Sequence, residues 1–248
     1  MSRWETQQLK RRDAKGGKLR KEEAADSFWR ACASGDLFTA QWLHDVGVEA
    51  DVATKDGFGH LPIHFACRAG CLKIARWLLS VGARIDAEDF QGVQPIHDAA
   101  ASGELHMCEW LLSVGAKIDA VDETGMQPLH YACRNGHEEV AQWLHSAGAM
   151  VDATTCRGWQ PLHIACYNGQ LAIARWLLAN GANKGAFDRF GWQPVEHARH
   201  RGHSSLVEWL QQPASATTQA PDASVLSDSE DGDPRERDLR DVDHSLEA

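Results

Sequence analysis

The chain has 248 residues, of which 43% are hydrophobic and 24% are charged. These fractions are close to those of soluble globular proteins, and they exclude a fibrous, wholly disordered or membrane-bundle chain. The formal net charge of −10 argues against general binding to a nucleic-acid backbone, which depends on an excess of Lys and Arg.

The sequence also lacks the segments that direct a chain to or through a membrane. No run approaches the roughly 18 uninterrupted apolar residues of a spanning helix, and the first residues contain no apolar secretory segment. The seven cysteines are an odd number, which favours reduced thiols over a disulfide framework. We therefore expect a cytoplasmic protein, or a nuclear one, that binds neither membrane nor nucleic acid.

The first segment, residues 1–25, is basic. Residues 1–24 contain eight Lys or Arg and four Asp or Glu, and seven of the basic residues lie between Lys10 and Lys21. This pattern is typical of a nuclear-import or acidic-partner segment, and equally of a solvated tail. We predict a disordered tail, with a nuclear regulator directed by these residues as an alternative function.

A period of 33 residues organises the middle of the chain. It links prolines, each suited to the first position of a helix because proline lacks the N–H that would be unpaired there. An earlier copy is offset by two residues. A fixed period of this length indicates stacked units of similar structure. The prolines in phase are Pro62, Pro95, Pro128, Pro161 and Pro194, and five tryptophans share the period at Trp77, Trp110, Trp143, Trp176 and Trp209.

Residues 122–154 show what one unit contains. Pro128 begins a short helix that Gly136 can end in the left-handed conformation, and a second helix is ended by Gly148. Helices this short do not persist alone, so their apolar stripes must be covered by neighbouring copies. The pattern predicts a stack of helix pairs joined by projecting turns.

Two stretches carry a resemblance to a known family: GMQPLHYACRNGHEEV at 125–140 and LLSVGAKIDA at 111–120. Both are similar to ankyrin repeats, and the resemblance covers about 26–212. It implies an all-α curved solenoid of about six L-shaped helix–turn–helix units, counting caps. It also implies a non-enzymatic module that binds another protein as an adaptor, scaffold or inhibitor. The predicted units are 26–55, 56–88, 89–121, 122–154, 155–187 and 188–212.

The sequence departs from the family pattern at the residue before each proline. The family has Thr there, whereas this chain has Leu61 and then Gln at 94, 127, 160 and 193. Each helix that follows one of these residues therefore lacks about 1 kcal/mol of capping free energy. Because Gln recurs at four of the five positions, we expect its side chain to make a compensating hydrogen bond. In the last unit Glu196 replaces the family histidine and Arg199 replaces an apolar Cys, which predicts a solvent-facing end of the stack.

A His-x-x-Cys pattern recurs on the first helix of three units. At this spacing both side chains share a helix face, which could suit zinc or a thiol-dependent enzyme. The pairs recur because the unit recurs, however, and the Cys positions behave as small buried apolar positions. We predict no enzyme, no cofactor and no metal, and we place Cys156 on a projecting turn. The pairs are His64/Cys67, His130/Cys133 and His163/Cys166.

The resemblance places a protein partner, of unknown identity, on the turn tips and the inner face of the first helices. Trp159 and Trp192 are either exposed anchors or packing between hairpins, and both interpretations stay open here. The Trp77 series is predicted to be core or a half-buried ridge, and the molecule a monomer. The candidate partner-binding residues are Phe58, His60, Phe90, Val93, Met126, Tyr131, Arg134, Arg157, Trp159, Tyr167, Phe187, Phe190 and Trp192.

The last segment, residues 213–248, is rich in Pro, Ala, Ser and Thr and then acidic, with ten Asp or Glu against three Arg. Such a composition buries too little apolar surface to offset the entropy of ordering, so it predicts disorder. Ser227 and Ser229 lie in an acidic context typical of a kinase target, although an inert solubilising tail fits equally well.

Overall fold

The computed structural model describes residues 21–51 and 58–212, in which it shows twelve α-helices and no strand. This confirms the predicted all-α organisation in paired helices. None of these helices has the length and apolar character needed to cross a bilayer. The helices are α1 (Lys21–Ser34), α2 (Leu37–Asp45), α3 (Pro62–Arg68), α4 (Leu72–Ser80), α5 (Pro95–Ala101), α6 (Leu105–Ser113), α7 (Pro128–Asn135), α8 (Glu138–Ser146), α9 (Pro161–Tyr167), α10 (Leu171–Ala179), α11 (Pro194–His200) and α12 (Ser204–Gln211).

The two ends of the helical array can be compared with the predicted boundaries. Helix α1 begins at Lys21, ahead of the boundary placed at residue 26. The described residues through Leu210 belong to one compact unit. The predictions for the basic segment from Lys10 and for Ser227 and Ser229 lie outside the described residues, apart from the start of α1.

The first helix of each repeated unit begins at the predicted proline, although no side chain caps it from the preceding residue. Instead, in the first four of these helices a histidine in the first turn accepts the backbone N–H of that residue, and in α11 Glu196 does so. In α7 the distance from Gln127 N to His130 Nδ1 is 3.0 Å, and His64, His97 and His163 make the same contact. This is one half of a capping box, and it satisfies a backbone donor without the family threonine.

The hydrogen bond expected to compensate for the missing threonine cap is present at only two of the four glutamines. Gln94 Nε2 donates to Glu88 Oε1 at 3.1 Å, and Gln160 Nε2 donates to the Asp152 carbonyl at 3.4 Å. Gln127 and Gln193 make no side-chain hydrogen bond with the part of the chain that the structure describes. The bonds made by Gln94 and Gln160 are exposed to solvent, so they contribute little to the free energy of unfolding.

The core lies between successive helix pairs. Each first helix packs against the first helix of the next unit, from α1 on α3 through to α9 on α11. The largest fully buried side chains include Ile96 on α5, Leu129 on α7 and Leu162 on α9. The second helices form an outer layer in which Trp110 is 8% exposed and the other four tryptophans of its series are half-buried. This matches the predicted half-buried ridge.

Side chains also bond each unit to the next. His130 Nε2 donates to the Ala153 carbonyl at 3.1 Å, so the ring that caps α7 also holds the linker after α8. A second set of bonds joins the start of the second helix to the end of the first helix in the preceding unit, and it is present at His137, Gln170 and His203. His137 Nε2 donates to the Ala101 carbonyl at 2.8 Å, and His203 Nε2 donates to the Tyr167 carbonyl at 3.0 Å. These hydrogen bonds therefore fix the spacing of the units in addition to the apolar core.

The projecting turns form a third layer. One backbone hydrogen bond joins each turn to the next: Phe90 N to Phe58 O, Glu123 N to Gln91 O, Cys156 N to Thr124 O and Arg189 N to Arg157 O, at 2.8–3.0 Å. Gly125 has a φ of 79°, and a Cβ built there would lie 2.9 Å from Cys156 N. Only glycine therefore permits both the turn and this close approach.

Candidate functional site

Each turn is organised by one carboxylate. Asp188 Oδ1 accepts the backbone N–H groups of Phe190 and Trp192 at 2.8 and 2.9 Å. Asp89 and Asp122 make the equivalent pairs of bonds. These three aspartates therefore form their turns, while Asp56, at the equivalent position 33 residues before Asp89, lies outside the described residues. The turns are held in one conformation before any partner arrives.

The second carboxylate oxygen draws aromatic side chains inward. Asp188 Oδ2 accepts Trp159 Nε1–H at 3.0 Å and His197 Nε2–H at 2.9 Å. Asp122 Oδ2 accepts the Tyr131 hydroxyl at 2.7 Å. Burying an indole or phenol is favourable when its polar end has a partner of this kind. The aromatic positions beside the turns are therefore tied to the next unit or to their own turn.

Six of the thirteen predicted partner-binding residues are consequently inaccessible. Each is less than a tenth exposed, which corrects the expectation that a partner can reach them. Trp159 is 6% exposed and packs on Tyr167 and His197, with ring centroids 5.2 and 4.6 Å away. For Trp159 the structure therefore supports packing between hairpins. The six are His60, Val93, Met126, Tyr131, Trp159 and Tyr167.

The other seven remain at the surface. Phe90 and Phe187 are each 66% exposed and Phe190 is 50% exposed. Phe58, Arg134, Arg157 and Trp192 are half-buried. Trp192 rests on His200, with ring centroids 5.4 Å apart. Four of these seven lie on or beside the last two turns: Arg157, Phe187, Phe190 and Trp192. We use the name C-terminal tip for Arg157, Phe187 and Phe190 together with Arg189, which lies between the two phenylalanines.

Sequence reasoning missed Arg189, which is exposed beside Phe190. The charge distribution could have identified it. Residues 155–212 contain six Lys or Arg and three Asp or Glu, whereas residues 89–154 contain two and ten. The last two units therefore carry a positive net charge and the two units before them a negative one, although the net charge of the whole chain is negative.

A family model for ankyrin repeats, three copies long, matches residues 28–122 and again 115–188. The chain belongs to the ankyrin-repeat family. Ankyrin repeats generally mediate protein–protein interactions, and the family is typically non-enzymatic. No curated protein matches this chain.

The His-x-x-Cys pairs lie inside this ankyrin stack with their histidines fully engaged. In His64, His97, His130 and His163, Nδ1 accepts a backbone N–H and Nε2 donates to a carbonyl of the following residues. Neither nitrogen is left for a metal or a proton transfer. Among the described residues no group of three His, Cys, Asp or Glu side chains could hold a metal ion.

The thiols of the ankyrin helices are poorly suited to nucleophilic chemistry. Burial raises the pKa of Cys32, Cys108 and Cys166 to about 12. Burial also raises the pKa of Cys67 and Cys133 well above the usual value for a thiol. The reactive thiolate is therefore scarce at neutral pH. Cys156 lies exposed on its turn, as predicted.

Proposed function

We propose that this protein is a non-enzymatic binding module that acts as an adaptor, scaffold or inhibitor by holding another protein against its turn tips. The observation that carries the proposal is the exposure of Phe90, Phe187 and Phe190 on turns whose backbones are already bonded. Exposed aromatic side chains in a fixed frame are typical of interface anchors.

Rigidity supports the same proposal. The carboxylate of Asp188 fixes its turn, and the bond from Arg189 N to Arg157 O fixes that turn against its neighbour. A partner that binds here restrains few additional backbone torsions, so little conformational entropy opposes binding.

Affinity capture with the full chain tests the proposal. We expect proteins captured by the wild type to be lost with the Phe187→Ser/Phe190→Ser variant. Met150→Ser is the matched control, because Met150 is also an exposed apolar side chain, 63% accessible, but lies on a linker. Retention of every captured protein by the double variant, with an unchanged melting temperature, would contradict the proposal.

A further inference from the structure

The C-terminal tip carries two arginines on neighbouring turns. Arg189 N–H donates to the Arg157 carbonyl at 3.0 Å, so the two backbones are in direct contact. A Cβ built on Gly158 would lie 3.2 Å from Arg189 Cγ, which shows that the Arg189 stem crosses the Arg157 turn. The two arginines therefore lie side by side on adjacent turns, with Arg157 half-buried and Arg189 exposed.

These two arginines lack acidic partners within the described residues. No carboxylate there lies within 4.0 Å of the nitrogens of Arg157 or Arg189, although other ion pairs such as Arg68–Asp98 form. Arg157 Nη1 is buried without a hydrogen-bond acceptor. Nη1 itself is closed to a partner, so a carboxylate brought by a partner meets the other guanidinium N–H groups of Arg157, for which no described carboxylate competes.

Exposed aromatic residues flank Arg189 along the chain. Phe190 directly follows Arg189, and Phe187 precedes Asp188; both rings are at least half exposed. Within four residues the tip therefore offers a cation between two apolar surfaces. A complementary partner needs anionic groups and apolar side chains at a similarly close spacing.

The backbone of this turn has no N–H left to cradle a phosphate. Arg189 N is bonded to Arg157 O, and Gly191 N to Asp188 O. The N–H groups of Phe190 and Trp192 are bonded to Asp188 Oδ1. Recognition must then come from the guanidinium groups alone, whose planar fork binds a carboxylate as well as it binds a phosphate. The acidic units at 89–154 repel such a partner and leave the C-terminal tip as its docking position.

We propose that the C-terminal tip binds an acidic peptide segment in which Asp or Glu residues flank an aromatic or aliphatic residue. The proposal rests on the proposed function, since it specifies the partner chemistry for the same turns. The segment lies across the last two turns, with carboxylates on Arg157 and Arg189 and its apolar side chain against Phe187 or Phe190.

Fluorescence anisotropy with the full chain and a labelled synthetic peptide of Asp and Glu around Phe tests this proposal. We expect Arg157→Gln/Arg189→Gln to weaken binding about tenfold, as loss of two ion pairs at the protein surface implies. Lys73→Gln/Arg76→Gln is the matched control, because it removes two exposed cations from α4, and it should leave the affinity unchanged. A peptide with Asn and Gln in place of the acids should bind far more weakly, and added salt should weaken the acidic peptide.

Three results would overturn the proposal: equal binding by the Arg157→Gln/Arg189→Gln variant, equal binding of the amide peptide, or binding of a phosphoserine peptide alone. The proposed function fails separately. If no acidic peptide binds but captured proteins still depend on Phe187 and Phe190, only the acidic chemistry is wrong. If that dependence is absent as well, the interaction surface itself is wrong.

Discussion

The interior units and the last unit satisfy the same backbone donor with different side chains. In an interior unit, His130 accepts the N–H of Gln127 and donates its other ring N–H to the Ala153 carbonyl. In the last unit, Glu196 Oε2 accepts the N–H of Gln193 at 2.6 Å. An ionised carboxylate has no hydrogen to donate. The repeat histidine thus performs two tasks, capping its own helix and holding the following linker, and Glu196 performs only the first.

The same difference appears elsewhere at the end of the stack. Cys166 is fully buried on α9, whereas Arg199 takes its place on α11 and is exposed. Gly125 faces the next turn closely, whereas a Cβ on Gly191 would meet nothing within 4 Å. A repeat position is therefore constrained by the neighbour that covers it, and the constraint relaxes where no described unit follows.

Removing the repeat histidine should give the largest effect. We expect His130→Ala to destabilise the protein by about 4 kcal/mol, because two partly buried backbone groups lose their partners at about 1 kcal/mol each and the fully buried ring leaves a cavity. Glu196→Ala removes only a helix cap and should cost about 1 kcal/mol. Urea unfolding followed by circular dichroism measures both. His130→Gln, whose amide can accept and donate, is the control and should recover part of the loss. Equal costs at positions 130 and 196 would refute the two-task interpretation.

Replacing the turn glycines with alanine should give losses of stability of intermediate size, and it tests the same difference between interior and last units. Gly125→Ala should cost about 3 kcal/mol, because a left-handed residue with a Cβ costs about 1–2 kcal/mol and the Cys156 backbone must also move. Gly191→Ala meets the conformational cost alone, since φ is 78° and the space is open, so about 1 kcal/mol is expected. Thermal melts of the two variants provide the measurement, and a larger loss at Gly191 would contradict the packing argument.

Acidification should lower the free energy of unfolding gradually, because protonation of the buried histidines is disfavoured in the folded protein. Burial lowers the pKa of His130 and His163 from 6.5 to about 4. The unfolded chain therefore takes up protons below pH 6.5 before the folded chain does. The stability from each neutral ring is complete above pH 6.5 and declines as pH falls toward the folded pKa, by about 1.4 kcal/mol per pH unit and histidine.

Urea unfolding at a series of pH values tests this slope. The non-titrating variant His130→Gln should remove one histidine's share of the slope. Stability of the wild type that stays constant between pH 6.5 and the folded pKa would show that these rings are not kept neutral by folding.

The helical architecture could be predicted from local signals in the sequence. Pro128 begins its helix and Gly136 ends it at a φ of 83°, because each residue's own backbone geometry decides the outcome. The 33-residue spacing then required neighbours to cover the apolar stripes. Since every unit repeats these signals, the paired helices followed without knowledge of any long-range contact.

The accessible surface was decided only by tertiary structure. Trp159 and Trp192 occupy equivalent positions on the last two turns, yet Trp159 is buried and Trp192 is only half-buried. The difference is Asp188, which lies 29 residues after Trp159, accepts its indole N–H and closes the next turn over the ring. No residue near Trp159 in the sequence predicts that contact, because whether a turn side chain is covered depends on the polar group that the following unit places opposite it.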